Sequence, residues 1–141
     1  VATLRQLIEA RIKSEVDGLR AVAGAADMQS VLQGRVSPPA AYVFRLRNAA
    51  GPNTLANAVD QRVNEQYAVV VVTRNVGDSR GGDSSDANEA ICDDIGDALL
   101  GWEPAADAEP MEYGGGRLVS LQDQFLFWQE TYTTARYRRA V

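Results

Sequence analysis

The 141-residue chain carries 19 acidic and 14 basic side chains, no histidine, and a single cysteine, Cys92. Without histidine there is no Ser/His/Asp or Cys/His catalytic arrangement, and one cysteine rules out an internal disulfide framework or a Cys-rich zinc site. A pI near 4.7 argues against a protein that grips duplex nucleic acid, and no apolar run approaches the roughly 20 residues of a membrane span.

Thr3 opens the first helix. Thr3 and Gln6 stand at capping-box spacing, each side chain placed to satisfy a backbone N–H at the helix start. Leu4, Leu7, Ile8, Ile12, Val16 and Leu19 recur at three- and four-residue steps and define one buried stripe, with Gly18 as the expected stop. A short strand follows over residues 19–23. Asp27 is placed to cap a brief helix through Met28, Val31 and Leu32 that closes at Gly34. Pro38-Pro39 breaks the chain before a second strand over residues 41–47. Val43 and Leu46 there are out of phase with strict alternation, so neither face is assigned to the core. Residues 48–57 contain Gly51, Pro52 and small polar side chains and read as a loop, flanked by Arg45, Arg47 and Arg62.

The strongest strand signal lies within residues 63–76, where Tyr67, Ala68, Val69, Val70, Val71, Val72 and Thr73 run without a break. Continuous β-branched residues imply burial on both faces, hence a central strand. Residues 77–85 read as a polar, Gly-rich loop. From residue 86 to residue 100 the period is helical, with Ala87, Ile91, Ile95, Ala98, Leu99 and Trp102 on the inner side, and Gly101 and Pro104 end it. After a connection over residues 102–110, residues 111–113 and 117–121 read as two short strands around Gly114-Gly115-Gly116, which forms a hairpin or a bulge. Residues 125–138, rich in Phe, Trp, Tyr and Thr, read as a last strand long enough for its far end to leave the sheet of its own subunit.

The charge is polarised along the chain. Eleven of the acids fall within residues 78–112 against one base, Arg80, while the remainder holds thirteen bases and eight acids. Asp78, Asp83 and Asp86 lie close together but lack the EF-hand order and its terminal bidentate Glu, so the acids read as a solvated helix face rather than a metal site. Gly81-Gly82 lacks the Walker pattern, and neighbouring acids would repel an anion. Gly114 to Gly116, with Tyr113 and Arg117, is explained by a tight turn that needs positive φ. Cys92, beside Ile91 and Ile95, reads as a small core residue, and Trp102 and Trp128 as core anchors. Arg136-Tyr137-Arg138-Arg139 is too short for a single-strand nucleic-acid surface and reads as a polar contact with a neighbouring protein. No acid/base constellation converges, so no enzyme, cofactor or metal is expected. Length sets the expectation of one domain over residues 1–141, and the lack of a signal-peptide pattern sets that of synthesis in a cytoplasm.

Several segments form an ordered set. They are Gln61-Arg62-Val63-x-Glu65, the run Ala68 to Asn75, Asp78-x-Arg80-Gly81, Ala98-Leu99-Leu100-Gly101-Trp102-x-Pro104, Tyr113-x-Gly115-Gly116-Arg117-Leu118 and Trp128-Gln129-x-x-Tyr132-x-Thr134. Gly24-Ala25-Ala26-Asp27 and Pro39-Ala40-Ala41-Tyr42-Val43 precede them. In this order and spacing the chain resembles the tail terminator proteins of long-tailed bacteriophages, from about residue 20 onward. The resemblance implies a single α+β domain, with helices packed on a mostly antiparallel sheet of four to five strands, assembled as a six-membered ring. Such a ring caps the head-proximal end of the tail tube, stops tube polymerisation, meets the head connector or another neck protein, and catalyses nothing. DNA passes through it without specific binding, and no membrane is involved.

A ring needs a heterologous interface in which one patch meets a different patch on the next copy, and opposite charges on two halves of the chain suit that geometry. Arg45, Arg47, Arg62, Arg74, Asp78, Arg80, Arg136, Arg138 and Arg139 are therefore candidate interface residues. Asp83, Asp86, Glu89, Asp93, Asp94 and Asp97 are candidates to line the lumen, where an acidic wall avoids holding DNA; alternatively they meet Arg45, Arg47 or Arg136 of the next copy. The competing readings are another ring of the phage neck, such as a head-completion protein, the tube protein itself, or a small-molecule-binding α+β module built on the Gly114 to Gly116 loop.

Overall fold

The computed structural model describes residues 1–35, 37–74, 82–122 and 124–140, with backbone only for residues 32 and 82–85. Among them, five strands form one sheet in the order β1-β2-β3-β5-β4. In chain order the elements are α1 (Leu4–Glu15), β1 (Ala21–Gly24), a 3-10 turn (Ala25–Asp27), α2 (Gln29–Leu32), β2 (Ala40–Ala50), β3 (Val59–Arg74), α3 (Gly82–Leu99), β4 (Glu112–Gln122) and β5 (Phe125–Ala140). β1 runs parallel to β2; every other pairing is antiparallel. The architecture is the expected α+β one.

The unbroken β-branched run makes β3 the central strand, and it is covered on both faces. Val69 and Val71 enter one core with Leu4, Ile8, Ile12, Val16, Cys92, Ile95 and Leu99, beneath α1 and α3. Val70 and Val72 enter a second core with Val31, Ala40, Tyr42 and Phe127, beneath α2. β2 is buried on both faces as well over residues 40–43. Each large apolar side chain withdrawn in this way contributes about 1.5–3 kcal/mol.

α1 begins with the expected capping box: the Gln6 N–H donates to Thr3 Oγ1 at 3.2 Å, and the Thr3 N–H donates to Gln6 Oε1 at 2.9 Å. It ends at Glu15, with Val16 as the cap, two residues before the expected stop; Gly18 instead takes φ 86° in the turn that follows. Arg11 ties α1 to α3: its Nε donates to the Ala98 carbonyl at 2.9 Å and its guanidinium lies 5.3 Å from the Trp102 ring centroid. A cation on a carbonyl of the last turn opposes the negative end of the helix dipole, which Asp97 leaves uncompensated.

Several expected boundaries move. Asp27 lies inside the 3-10 turn and caps nothing; the N-cap of α2 is Met28, which makes no side-chain cap bond. α3 starts at Gly82 rather than residue 86, so residues 82–85 are helix rather than loop. Ala87 is exposed, and Asn88 takes its place on the inner stripe. Residues 112–122 form one strand, with irregularities between Tyr113 and Gly115 and between Leu118 and Ser120, so the Gly run is a bulge and not a hairpin. Residues 48–50 extend β2 and pair with residues 63–65, and β3 begins at Val59. A further irregularity between Arg45 and Arg47 leaves Leu46 unpaired, which accounts for the phase break read between Val43 and Leu46. The far end of β5 stays in its own sheet, with Gln61 opposite Arg138 and Val59 opposite Ala140.

Candidate assembly interface

β2, β3 and β5 together project an arm from the body. β1 stops opposite Val43, and β4 stops opposite Thr133. Beyond those points the three strands continue without a flanking strand; residues 59–62 are in register with residues 137–140, and on the other side the Gly51 N–H donates to the Arg62 carbonyl at 2.8 Å. From residue 67 to residue 59 the arm extends about 27 Å at the usual rise per strand residue. Its loop is built around Asn53, whose Oδ1 accepts from the N–H groups of Leu55 and Asp60 while its Nδ2 donates to the carbonyls of Leu55 and Ala58.

The arm is basic. Residues 45–65 and 134–140 hold six arginines against Asp60 and Glu65. Three of the six are engaged within the chain. Arg136 forms a two-pronged pair with buried Glu65 at 2.7 and 3.0 Å, and Glu65 also accepts from the Tyr67 hydroxyl at 3.1 Å. Burial, followed by the Glu65 charge, pushes the Tyr67 hydroxyl up to about 12, and the hydrogen bond to Glu65 holds the Arg136 guanidinium above its ordinary value. Arg62 pairs with Glu109 at 2.9 and 3.0 Å, and that bond lowers the Glu109 carboxyl. Arg139 bonds Asp60 at 3.0 Å and lies 5.0 Å from the Tyr137 ring centroid. Among the described residues Arg45, Arg47 and Arg138 enter no ion pair, and all are exposed. The arm also exposes Leu46, Leu55, Val59 and Tyr137; of these only Tyr137, within Arg136-Tyr137-Arg138-Arg139, was read from the sequence as part of a contact.

Arg74 stands apart from this group, at the opposite end of β3, 6.0 Å from the Phe125 ring centroid. Asp78 and Arg80 lie outside the described residues, as does the side chain of Asp83.

α3 carries the opposite charge, six acids and no base over residues 82–99. Asn88, Cys92, Ile95 and Leu99 form its buried stripe. At about 100° per residue, Asp86 and Asp97 point most nearly away from that stripe, Asp93 and Asp94 stand on either side of them and Glu89 lies at the margin; all five are exposed. Asp94 and Asp97 share a concavity of about 250 Å³ with Glu15 and Asp17, next to Ala98. Among the described residues no group of three or more side chains is arranged to hold a metal ion. Cys92 is buried and its Sγ donates to Asn88 Oδ1 at 3.4 Å; burial and then the nearby Glu130 charge raise its thiol, which suits a core residue rather than a nucleophile.

A further exposed feature is one edge of the sheet. β4 pairs only with β5, so one side of its backbone is open, and Tyr113, Leu118, Val119 and Leu121 are exposed along it.

The family model for phage tail terminator proteins matches residues 3–140. The chain belongs to that family. It is thus a member of a family of structural proteins of the bacteriophage virion, built into the tail. Among solved structures it is similar to a chain of the "Virion of native gene transfer agent (GTA) particle", with a TM-score of 0.49 and 12% identity over 93% of this chain and 84% of that chain. No curated protein matches it. Three features mark the surface of this family member: a basic projecting arm, an acidic helix and an open sheet edge.

Proposed function

We propose that this chain is a tail terminator in the full sense. Copies of it, six in number, form a ring on the head-proximal end of the tail tube, end tube polymerisation, and present a surface to the head connector or neck protein. The observation that carries this reading is the family match over residues 3–140. The form of the subunit supports it. A closed ring needs two different patches on each copy, and the arm and α3 are separate, oppositely charged patches. DNA crosses the ring without being held, in keeping with an acidic chain, and the protein has no catalytic role.

Deletion of the gene from a phage that encodes it tests the reading by electron microscopy of the products. Overlong tails that lack heads are the expected result, corrected by supplying the chain in trans. Tails of normal length would overturn it.

A further inference from the structure

We infer that the arm of one copy docks across the outer face of α3 on a second copy, with Arg45 and Arg138, which the register places on the same face of the arm, set against Asp86, Asp93 and Asp97. The inference rests on the ring reading above and names the contact that would build the ring.

Three observations lead to it. The charges match: α3 has six acids and no base, and the arm has six arginines of which three are unpaired among the described residues. The lengths match too. Asp86 to Asp97 spans about 16 Å of helix, and Arg45 to Arg138, opposite Tyr67 and Gln61 on β3, spans about 20 Å of strand. Finally, the arm exposes Leu46, Leu55 and Val59, and Val59 lies on the same face of the arm as Arg138. Docking withdraws that face from water, while the ion pairs fix register and reject a like-charged patch.

The occupant is a second copy because each chain carries both halves of the contact at different places. A patch that complements a distant patch on the same molecule makes a head-to-tail contact, which closes into a ring when the rotation allows. Acids committed in this way form subunit boundaries, and the lumen wall is left to other residues.

Two variants test the contact. In one, Arg45 and Arg138 are changed to Glu; in the other, Asp86, Asp93 and Asp97 are changed to Lys. All five positions are exposed, so circular dichroism should show both variants folded. Each alone then faces like charge with like and should lose self-association by native mass measurement. Each should also fail to correct tail length as the sole copy in a phage. Mixed, the two variants alternate around an even-membered ring, every contact is again acid against base, and assembly and tail length should return.

The other outcomes each overturn the contact. If both variants assemble alone like the wild-type chain, the contact is wrong and the ring reading stands. If reversal of the acids leaves assembly intact but slows DNA ejection, the acids belong to the channel wall. If both fail alone and still fail mixed while folded, these residues serve different partners. Failure of the wild-type chain itself to correct tail length would remove the terminator reading, separately from any of these.

Discussion

The Glu65 carboxylate is buried at the root of the arm, 5% exposed, and Arg136 clamps it with two hydrogen bonds of 2.7 and 3.0 Å. The two residues lie on neighbouring strands, with Arg136 opposite Val63, so the pair crosslinks the arm where β4 no longer supports β5. Removing Arg136 leaves a buried carboxylate with only the Tyr67 hydroxyl. Arg136→Ala should destabilise the chain by about 2–3 kcal/mol, below the full figure for a buried pair because the guanidinium is 37% exposed. Denaturant unfolding measures this. A double variant with Glu65→Gln should recover part of the loss, and a cycle with no coupling would show that the pair contributes nothing.

Tyr67 gives the same site an alkaline limit. Its hydroxyl is pushed from 10.0 up to about 12 in the folded chain, first by burial and then by Glu65. Between those values the folded chain keeps a proton that the unfolded chain has released, so stability falls as pH rises. The contribution is fully present below pH 10.0 and is lost on approach to about pH 12, a change of about 2–3 kcal/mol. Tyr113, raised by its 2.5 Å bond to Glu130 and then by burial, titrates in the same direction. Tyrosinate absorbance should lag behind that of the unfolded chain, and Tyr67→Phe should give a shallower loss of stability above pH 10.0.

What could be read from the sequence was what local pattern decides. Thr3 and Gln6 announce the helix they cap, because both bonds close within one turn. The run Val69 to Val72 announces a central strand, because only burial on both faces tolerates it. The arm was hidden for the opposite reason. Asn48, Ala49 and Ala50 show no alternation, and they become strand only by pairing with residues 63–65 far along the chain. The far end of β5 is expected to leave the sheet on its length alone; its partner, residues 59–62, is mostly polar and gives no strand signal of its own. The basic residues were named one by one, but their gathering on one projection depends on that register. Arg74, named with them, is carried by the same register to the other end of β3.

Asn88 shows how a polar residue on a buried stripe misleads a periodicity reading. Placing Ala87 inward turns the helix by one position, yet Asn88 is the buried residue, 3% exposed. Its Nδ2 donates to the Val71 carbonyl and to Thr73 Oγ1, each at 3.2 Å, which seats α3 on the end of β3. Asn88→Ala should cost about 1–3 kcal/mol, since the Val71 carbonyl loses this side-chain donor. Hydrogen exchange should show the first turns of α3 losing protection before its C-terminal half. An unchanged unfolding midpoint would show that the seat is not a stabilising contact.

Gly116 is needed for space and Gly115 for conformation. A Cβ on Gly116 would lie 2.6 Å from Glu130 Oε2, 2.9 Å from the Tyr113 hydroxyl and 3.0 Å from Trp128 Nε1. These are side-chain ends, so they can shift, but only by disturbing the Tyr113–Glu130 bond that holds β4 to β5. Gly115 has open space around it and φ 112°, which an L side chain rarely adopts. Gly116→Ala should cost about 1–3 kcal/mol through overpacking, and it should lower the raised Tyr113 hydroxyl as its bond to Glu130 lengthens. Gly115→Ala should cost about as much through backbone strain while leaving the Tyr113 titration in place. Tyrosinate titration of the two variants therefore separates the causes, and identical titration curves would show that Gly116 is not packed against Glu130.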